Sequence, residues 1–287
     1  MSKPRILIQL DPDPHASVFD AVVAVDAGVE HLLQYHSVEP RQVRDLVHGA
    51  MFTRQELNCT AIFIGGANVA AGEELLRQVT KCFFGPMRVS VLLDANGANT
   101  TAAAAVLAAA KHGELKGATA TILAGTGPVG QRAARLLVRQ GATVRLASRT
   151  LSKAEEVCEA IRHRVPDAKL HAVATAAEGD TAAALADASI VIAAGAAGIQ
   201  LLSAPVLKQA TSLKVAIDLN AVPPLGIEGI EVMDKAKERG GIFCYGAIGV
   251  GGTKMKIHRA AIEKLFTRND LVLDAEEVFA LGQELVK

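Results

Sequence analysis

One stretch of this chain carries a recognisable chemical device: Ala118-Thr-Ala-Thr-Ile-Leu-Ala-Gly125-Thr-Gly127-Pro-Val-Gly130, followed by Ala133, Leu136 and Leu137 at helical spacing. A β-rich run, a glycine-rich turn and a helix come in the order that a dinucleotide requires. Gly125 is expected to make the tight turn and Gly127 to let backbone approach a pyrophosphate. Gly130 is expected to let the helix pack on the strand, with its positive N-terminus facing the phosphates. Thr126, Pro128 and Val129 complete that turn.

The end of the next predicted strand selects the nucleotide. An enzyme that prefers NAD usually places Asp or Glu there to accept from the ribose 2′-hydroxyl. This chain has Ser148-Arg149-Thr150, with Lys153 one helical turn on. A guanidinium and hydroxyls suit a 2′-phosphate, so NADP is expected, with NAD as a weaker alternative. Residues 101 to 153 hold eight basic side chains and one acidic one, Glu114, most of the cations being read as helix surface. Two later glycine-bearing loops, Ala193-Ala194-Gly195 and Asp218-Leu-Asn220, follow strands of the same series. Ala194, Gly195 and Asn220 are therefore assigned to the cofactor as well.

Conventional acid–base constellations are missing. There is no G-x-S-x-G, H-E-x-x-H or Y-x-x-x-K, because Tyr35 and Tyr245 are the only tyrosines and Tyr35 is followed by Glu39 at that spacing. Hydride abstraction from a substrate that releases no proton needs no general base, so positioning would carry the catalysis. Asp11, Asp13 and His15 alternate in one loop, but Pro12 and Pro14 already account for a turn there, and no metal site is expected.

These residues need strands and helices to hold them. The chain has 287 residues, half of them apolar and 21% charged, which excludes wholesale disorder and allows two domains. Runs at Arg5 to Leu10, His31 to Tyr35, Thr60 to Ile64 and Arg88 to Leu93 read as strands separated by helical periodicity. A nearly pure Ala helix from Asn99 to Ala110 marks the crossover to a second series. Its strands are Ala118 to Ala124, Thr143 to Ala147, Leu170 to Val173, Ser189 to Ala193 and Lys214 to Ile217. Its helices are Val129 to Arg139, Ser152 to Arg164 and Thr181 to Leu185.

Strand–helix alternation predicts an α/β protein with parallel sheets. The expected arrangement is an N-terminal α/β domain over 1–100 and a Rossmann domain over 101–273. A C-terminal helix over 274–287, opened by the capping box Asp274-Ala-Glu-Glu277, is expected to pack back on the first domain. The net charge of zero offers no field for nucleic acid or an anionic bilayer. Four scattered cysteines and the absence of a long apolar run point to a cytoplasmic, non-membrane protein.

Further motifs add a family resemblance. They are Asp218-x-Asn220-Ala-x-Pro-Pro-x-Gly-Ile-x-Gly-Ile230 and Gly-Ala-Ile-Gly-Val-Gly-Gly-x-Lys-x-Lys-x-His-Arg259 in the second half. Ser17-Val-Phe-Asp20, Thr60-Ala-Ile-Phe-Ile-Gly-Gly66, Phe83-Phe-Gly-Pro86 and Asp94-x-Asn96-Gly97-x-Asn99-Thr-Thr101 stand in the first. With the glycine fingerprint and Ser148-Arg149, the chain resembles the bacterial NADP-dependent methylene-tetrahydromethanopterin dehydrogenases over nearly its whole length. The resemblance implies a cytoplasmic homo-oligomer that oxidises a methylene-tetrahydropterin to the methenyl form in one-carbon metabolism, in a cleft between its two domains. On the pterin side it implies Asp20, Asp94, Asn99, Thr101 and Lys256, with Lys256 and Asp20 nearest the chemistry and Lys256 placed on a loop. The alternatives are a methylene-tetrahydrofolate dehydrogenase without cyclohydrolase activity and an inert NADP-binding sensor.

Overall fold

The computed structural model describes residues 3–177 and 179–286. They form two compact units, one of residues up to Thr100 with those from Met255 on, the other Thr101–Lys254.

The first unit begins β1 (Ile6–Leu10), α1 (Val18–Asp26), β2 (His31–Tyr35), α2 (Val43–Phe52), β3 (Thr60–Ile64), α3 (Val69–Lys81) and β4 (Ser90–Leu93). Thr60–Ile64 is buried at every position, the continuous apolar run expected of a central parallel strand covered on both faces. His31–Tyr35 lies at the sheet edge and is mostly exposed. Ser17 opens α1 by accepting from the Asp20 N–H at 3.2 Å, an ordinary N-cap. The next helix, α4 (Ala98–Ala110), is apolar on every side and buried along Ala102–Ala109, as such a helix must be.

The second unit contains β5 (Thr119–Leu123), α5 (Pro128–Arg139), β6 (Thr143–Ser148), α6 (Leu151–Arg164), β7 (Leu170–Ala174), α7 (Asp180–Ala184) and β8 (Ile190–Ala193). It continues with α8 (Ala204–Gln209), β9 (Val215–Asp218), β10 (Lys235–Arg239) and β11 (Ile242–Tyr245). Its sheet runs β10-β11-β9-β8-β5-β6-β7, with every pairing parallel except the β10–β11 hairpin. β5 therefore has β6 on one side and β8 on the other, the doubly wound reversal that opens a ligand crevice at the carboxyl ends of the strands. The hairpin was not expected from sequence. Gly240 and Gly241, both at positive φ, turn it, and its charged outer strand blunts the sheet edge.

The chain closes with α9 (Ala247–Leu265), β12 (Val272–Leu273) and α10 (Ala275–Leu285). β12 pairs in parallel with β4, giving the first sheet the order β12-β4-β3-β1-β2. The Asp274–Glu277 capping box forms as its spacing requires. Two expectations need correcting. The second unit stops at Lys254 rather than 273, because the later part of α9 and β12 pack with the first unit. The glycine-rich stretch before Lys256 is also helix rather than loop.

Candidate active site

In the second unit the glycine turn sits where β5 feeds α5, beside the carboxyl ends of β6 and β8. The left-handed residue of this turn is Ala124, at φ +51°, rather than Gly125. Gly125 is required for packing: a Cβ there would stand 2.9 Å from Leu146 Cγ and 3.0 Å from the Ile122 carbonyl oxygen. Gly130 permits the helix to approach the turn, since its Cβ would lie 2.7 Å from the backbone of Gly125. Gly127 differs from both. Its nearest neighbours would be 3.7 Å away at the Ala194 carbonyl and 3.9 Å at that of Ala124, so a Cβ there would make ordinary contact and no clash. It is also the N-cap of α5, with Pro128 at the first helical position. The residues thus fit a pyrophosphate: a glycine with no packing clash to relieve, at the N-terminus of a twelve-residue helix.

Ser148 ends β6, buried, with its hydroxyl accepting from the Thr150 N–H at 3.2 Å. Arg149 and Lys153 are exposed beside it, and Thr150 caps α6. Of the cations read as helix surface, Arg132 and Arg135 are instead buried on α5. Arg132 donates to the Pro128 carbonyl of its own first turn.

Ala194 and Gly195 leave β8 next to the turn, and a Cβ on Gly195 would meet Leu201 at 2.8 Å and Ala124 at 3.4 Å. Asn220 is buried and organises its own loop. Its amide oxygen accepts from Val222 N–H at 2.9 Å, and its amide nitrogen donates to the Pro224 carbonyl at 3.1 Å. Burial raises the Asp218 carboxyl, while backbone N–H groups of Asn220, Ile227 and Gly226 pull it the other way. Asn220 therefore shapes the loop that follows β9, a role the sequence did not separate from cofactor contact.

In the first unit the reversal of strand order falls between β1 and β3, again where ligands bind in open α/β sheets. Asp11 follows β1 and Gly65 follows β3. The point where a Gly65 Cβ would sit is 3.3 Å from Asp20 Oδ2 and 3.5 Å from Asp11 Oδ2. Asp11 accepts from the N–H groups of Asp13 and Ser17 at 2.9 and 3.1 Å, closing the Pro12–Pro14 turn. Burial raises its carboxyl above the ordinary value, opposed by those two N–H groups. Asp20 reaches the same place from the first turn of α1.

The remaining nominated residues lie elsewhere in the first unit or at its boundary. Asp94 is buried and accepts from the N–H groups of Asn99 and Thr100 and from the Thr100 hydroxyl at 2.6 Å, so it caps the Ala-rich helix. Asn99 donates to the Leu93 carbonyl and to Asp274 Oδ1, tying β4 to the start of α10. Thr101 is half-buried in α4, and Lys256 is exposed on α9. His258, two residues beyond Lys256 and assigned no role from sequence, is buried instead. Its Nε2 is 3.9 Å from Asp20 Oδ1, and its ring stacks on Phe63 with centroids 5.6 Å apart. The heptad-like run Ile257, Ala261, Ile262 and Leu265 marks the buried side of that helix, and only this pattern could have placed His258 inward.

The comparisons with known proteins match both halves. Residues 18–96 match the family model described as methylene-tetrahydromethanopterin dehydrogenase, N-terminal, and 106–235 that of shikimate / quinate 5-dehydrogenase. A protein of Methylorubrum extorquens named bifunctional protein MdtA is 46% identical over 99% of this chain and 100% of its own length. The NAD(P)-dependent methylenetetrahydromethanopterin dehydrogenase of the same organism is 33% identical over 98% of each chain. Among solved structures, the ligand-free 5-ketofructose reductase of Gluconobacter sp. strain CHM43 aligns over 99% of both chains at 15% identity and a TM-score of 0.50, a likeness of fold alone. With full-length relatives at these identities and residues 18–96 fitting the family's N-terminal model, the chain belongs to the methylene-tetrahydromethanopterin dehydrogenase family.

Proposed function

We propose that this protein oxidises methylene-tetrahydromethanopterin to the methenyl form by direct hydride transfer to NADP. The observation that carries the reading is one chain that joins Gly127 at a helix N-terminus to residues 18–96, which match the pterin-dehydrogenase model. NADP, when bound, supplies the hydride acceptor. Gly127 and the first turn of α5 would hold its pyrophosphate, while Ser148, Arg149 and Lys153, with no carboxylate among them, would meet its 2′-phosphate. The methylene carbon bridges two nitrogens, so its loss of hydride gives a cation delocalised over both. That step releases no proton and asks the protein for position and for tolerance of positive charge.

The carboxylates of Asp20 and Asp11 at the first unit's strand reversal support the pterin head's placement there. Lys256, exposed on α9, is the cation nominated for substrate contact. The protein works in the cytoplasm as a homo-oligomer. Val18, Val22 and Val25, exposed along α1, supply an apolar face of the kind that assembly covers. Absorbance at 340 nm tests the activity: reduction of NADP on addition of methylene-tetrahydromethanopterin is expected, and no absorbance change with that substrate would overturn the reading.

A further inference from the structure

His258 has no part in the function as argued so far, yet its setting is specific. It lies on the buried side of α9, with one face stacked at 28° on the Phe63 ring and Phe19 6.3 Å away between centroids. Phe63 is the fourth residue of β3, two before Gly65, so the imidazole stands at the carboxyl end of the strands where β1 and β3 part. A buried polar ring in an apolar stack costs free energy unless it serves a partner. One charged group in range is Asp20, whose Oδ1 is 3.9 Å from Nε2, while its other oxygen lies by Gly65.

Asp20 belongs to the first turn of a helix and its own N–H is engaged with Ser17. The backbone of this residue is therefore fixed, and its side-chain torsions set where the carboxylate points. A rigid imidazole on one side and a glycine on the other restrict those torsions. At Gly65 any larger residue would fill the space beside Oδ2, where Asp11 Oδ2 also converges.

We propose that His258 is a positioning residue for Asp20: held by Phe63, it fixes the Asp20 carboxylate beside Gly65 so that its anionic edge receives the N–H donors of the reduced pterin head. The proposal rests on the substrate reading above. A carboxylate held there favours the cationic product over the neutral substrate, which places the benefit of its orientation in turnover as well as in binding.

The test is a double-mutant cycle in the full chain with His258→Gln and Asp20→Asn, joined to an NMR titration. His258→Gln is expected to lower kcat/KM for methylene-tetrahydromethanopterin about tenfold in the native background and less than about twofold in Asp20→Asn. Melting temperature and NADP affinity are expected to stay at the native values. A tenfold loss that persists in Asp20→Asn would overturn the proposal, as would no loss in either background. The His258 ring resonance, assigned by its absence in His258→Gln, is expected to titrate at lower pH in Asp20→Asn than in the native protein, because the neighbouring negative charge is gone. Identical curves, or no titration in either protein, would overturn it without any substrate. A native protein that shows no turnover would instead contradict the substrate reading, and the titration would still decide the role of His258.

Discussion

Three glycines of one motif hold three different positions, and their substitutions should fail differently. At Gly130 a Cβ would press on backbone atoms 2.7 Å away, which cannot yield as a flexible side chain would. Gly130→Ala should destabilise the fold by about 1–3 kcal/mol, read as a fall in melting temperature. At Gly127 the nearest atom is 3.7 Å away, so Gly127→Ala should keep the native melting temperature and lose tenfold or more in NADP affinity by calorimetry. Equal melting losses in the two variants would show that the space above Gly127 is packing space rather than a binding surface. The proposed function assigns the choice of nucleotide to Arg149. Arg149→Ala should cost NADP binding about 1.5–3 kcal/mol, roughly ten- to a hundredfold, and leave NAD binding within about twofold. Equal losses for both nucleotides would remove Arg149 from the 2′-phosphate.

At the scale of elements, Arg239 ties the β10–β11 hairpin to its preceding turn by pairing with Asp234 and, at 3.4 Å, with Glu231. Arg239 donates to both Asp234 oxygens at 2.9 Å. Burial pushes the Asp234 carboxyl up, but the guanidinium and the Glu231 N–H outweigh it and hold it below its ordinary value. A carboxyl whose folded pKa is depressed contributes stability above its unfolded pKa and loses it as pH falls through the folded one. The melting deficit of Arg239→Gln should therefore be full at neutral pH and shrink in acid, below the ordinary carboxylate range. A deficit constant across that range would mean the arginine acts through packing. This hairpin also shows where sequence reading ran out. Lys235–Arg239 is a charged strand with no alternation, and only the Gly240–Gly241 pair hinted at a turn. The parallel strands were legible because burial on both faces writes them as continuous apolar runs, as in Thr60–Ile64. Among candidate site residues, Gly127 and Ser148 could be read from spacing, since the strand–turn–helix pattern dictates it locally. His258 could not, because its partners Asp20 and Phe63 are far away in sequence and meet it only through α9.

For the whole molecule, each of the two α/β units presents a strand-order reversal, one at the glycine turn and one at a pair of carboxylates. In the proposed function the same rule of open sheets serves a phosphate at a helix N-terminus and a donor-rich ring at a carboxylate edge. No acid–base pair is needed if the bond broken is a carbon–hydrogen bond whose electrons leave with the hydrogen. The most direct measurement of that claim uses methylene-tetrahydromethanopterin deuterated at the methylene carbon, with NADP as acceptor. Mass spectrometry of the reduced nucleotide should find one deuterium per turnover on the nicotinamide ring, with none washed out to solvent. Reduced nucleotide free of deuterium, or carrying hydrogen from water, would contradict direct hydride transfer and the function built on it.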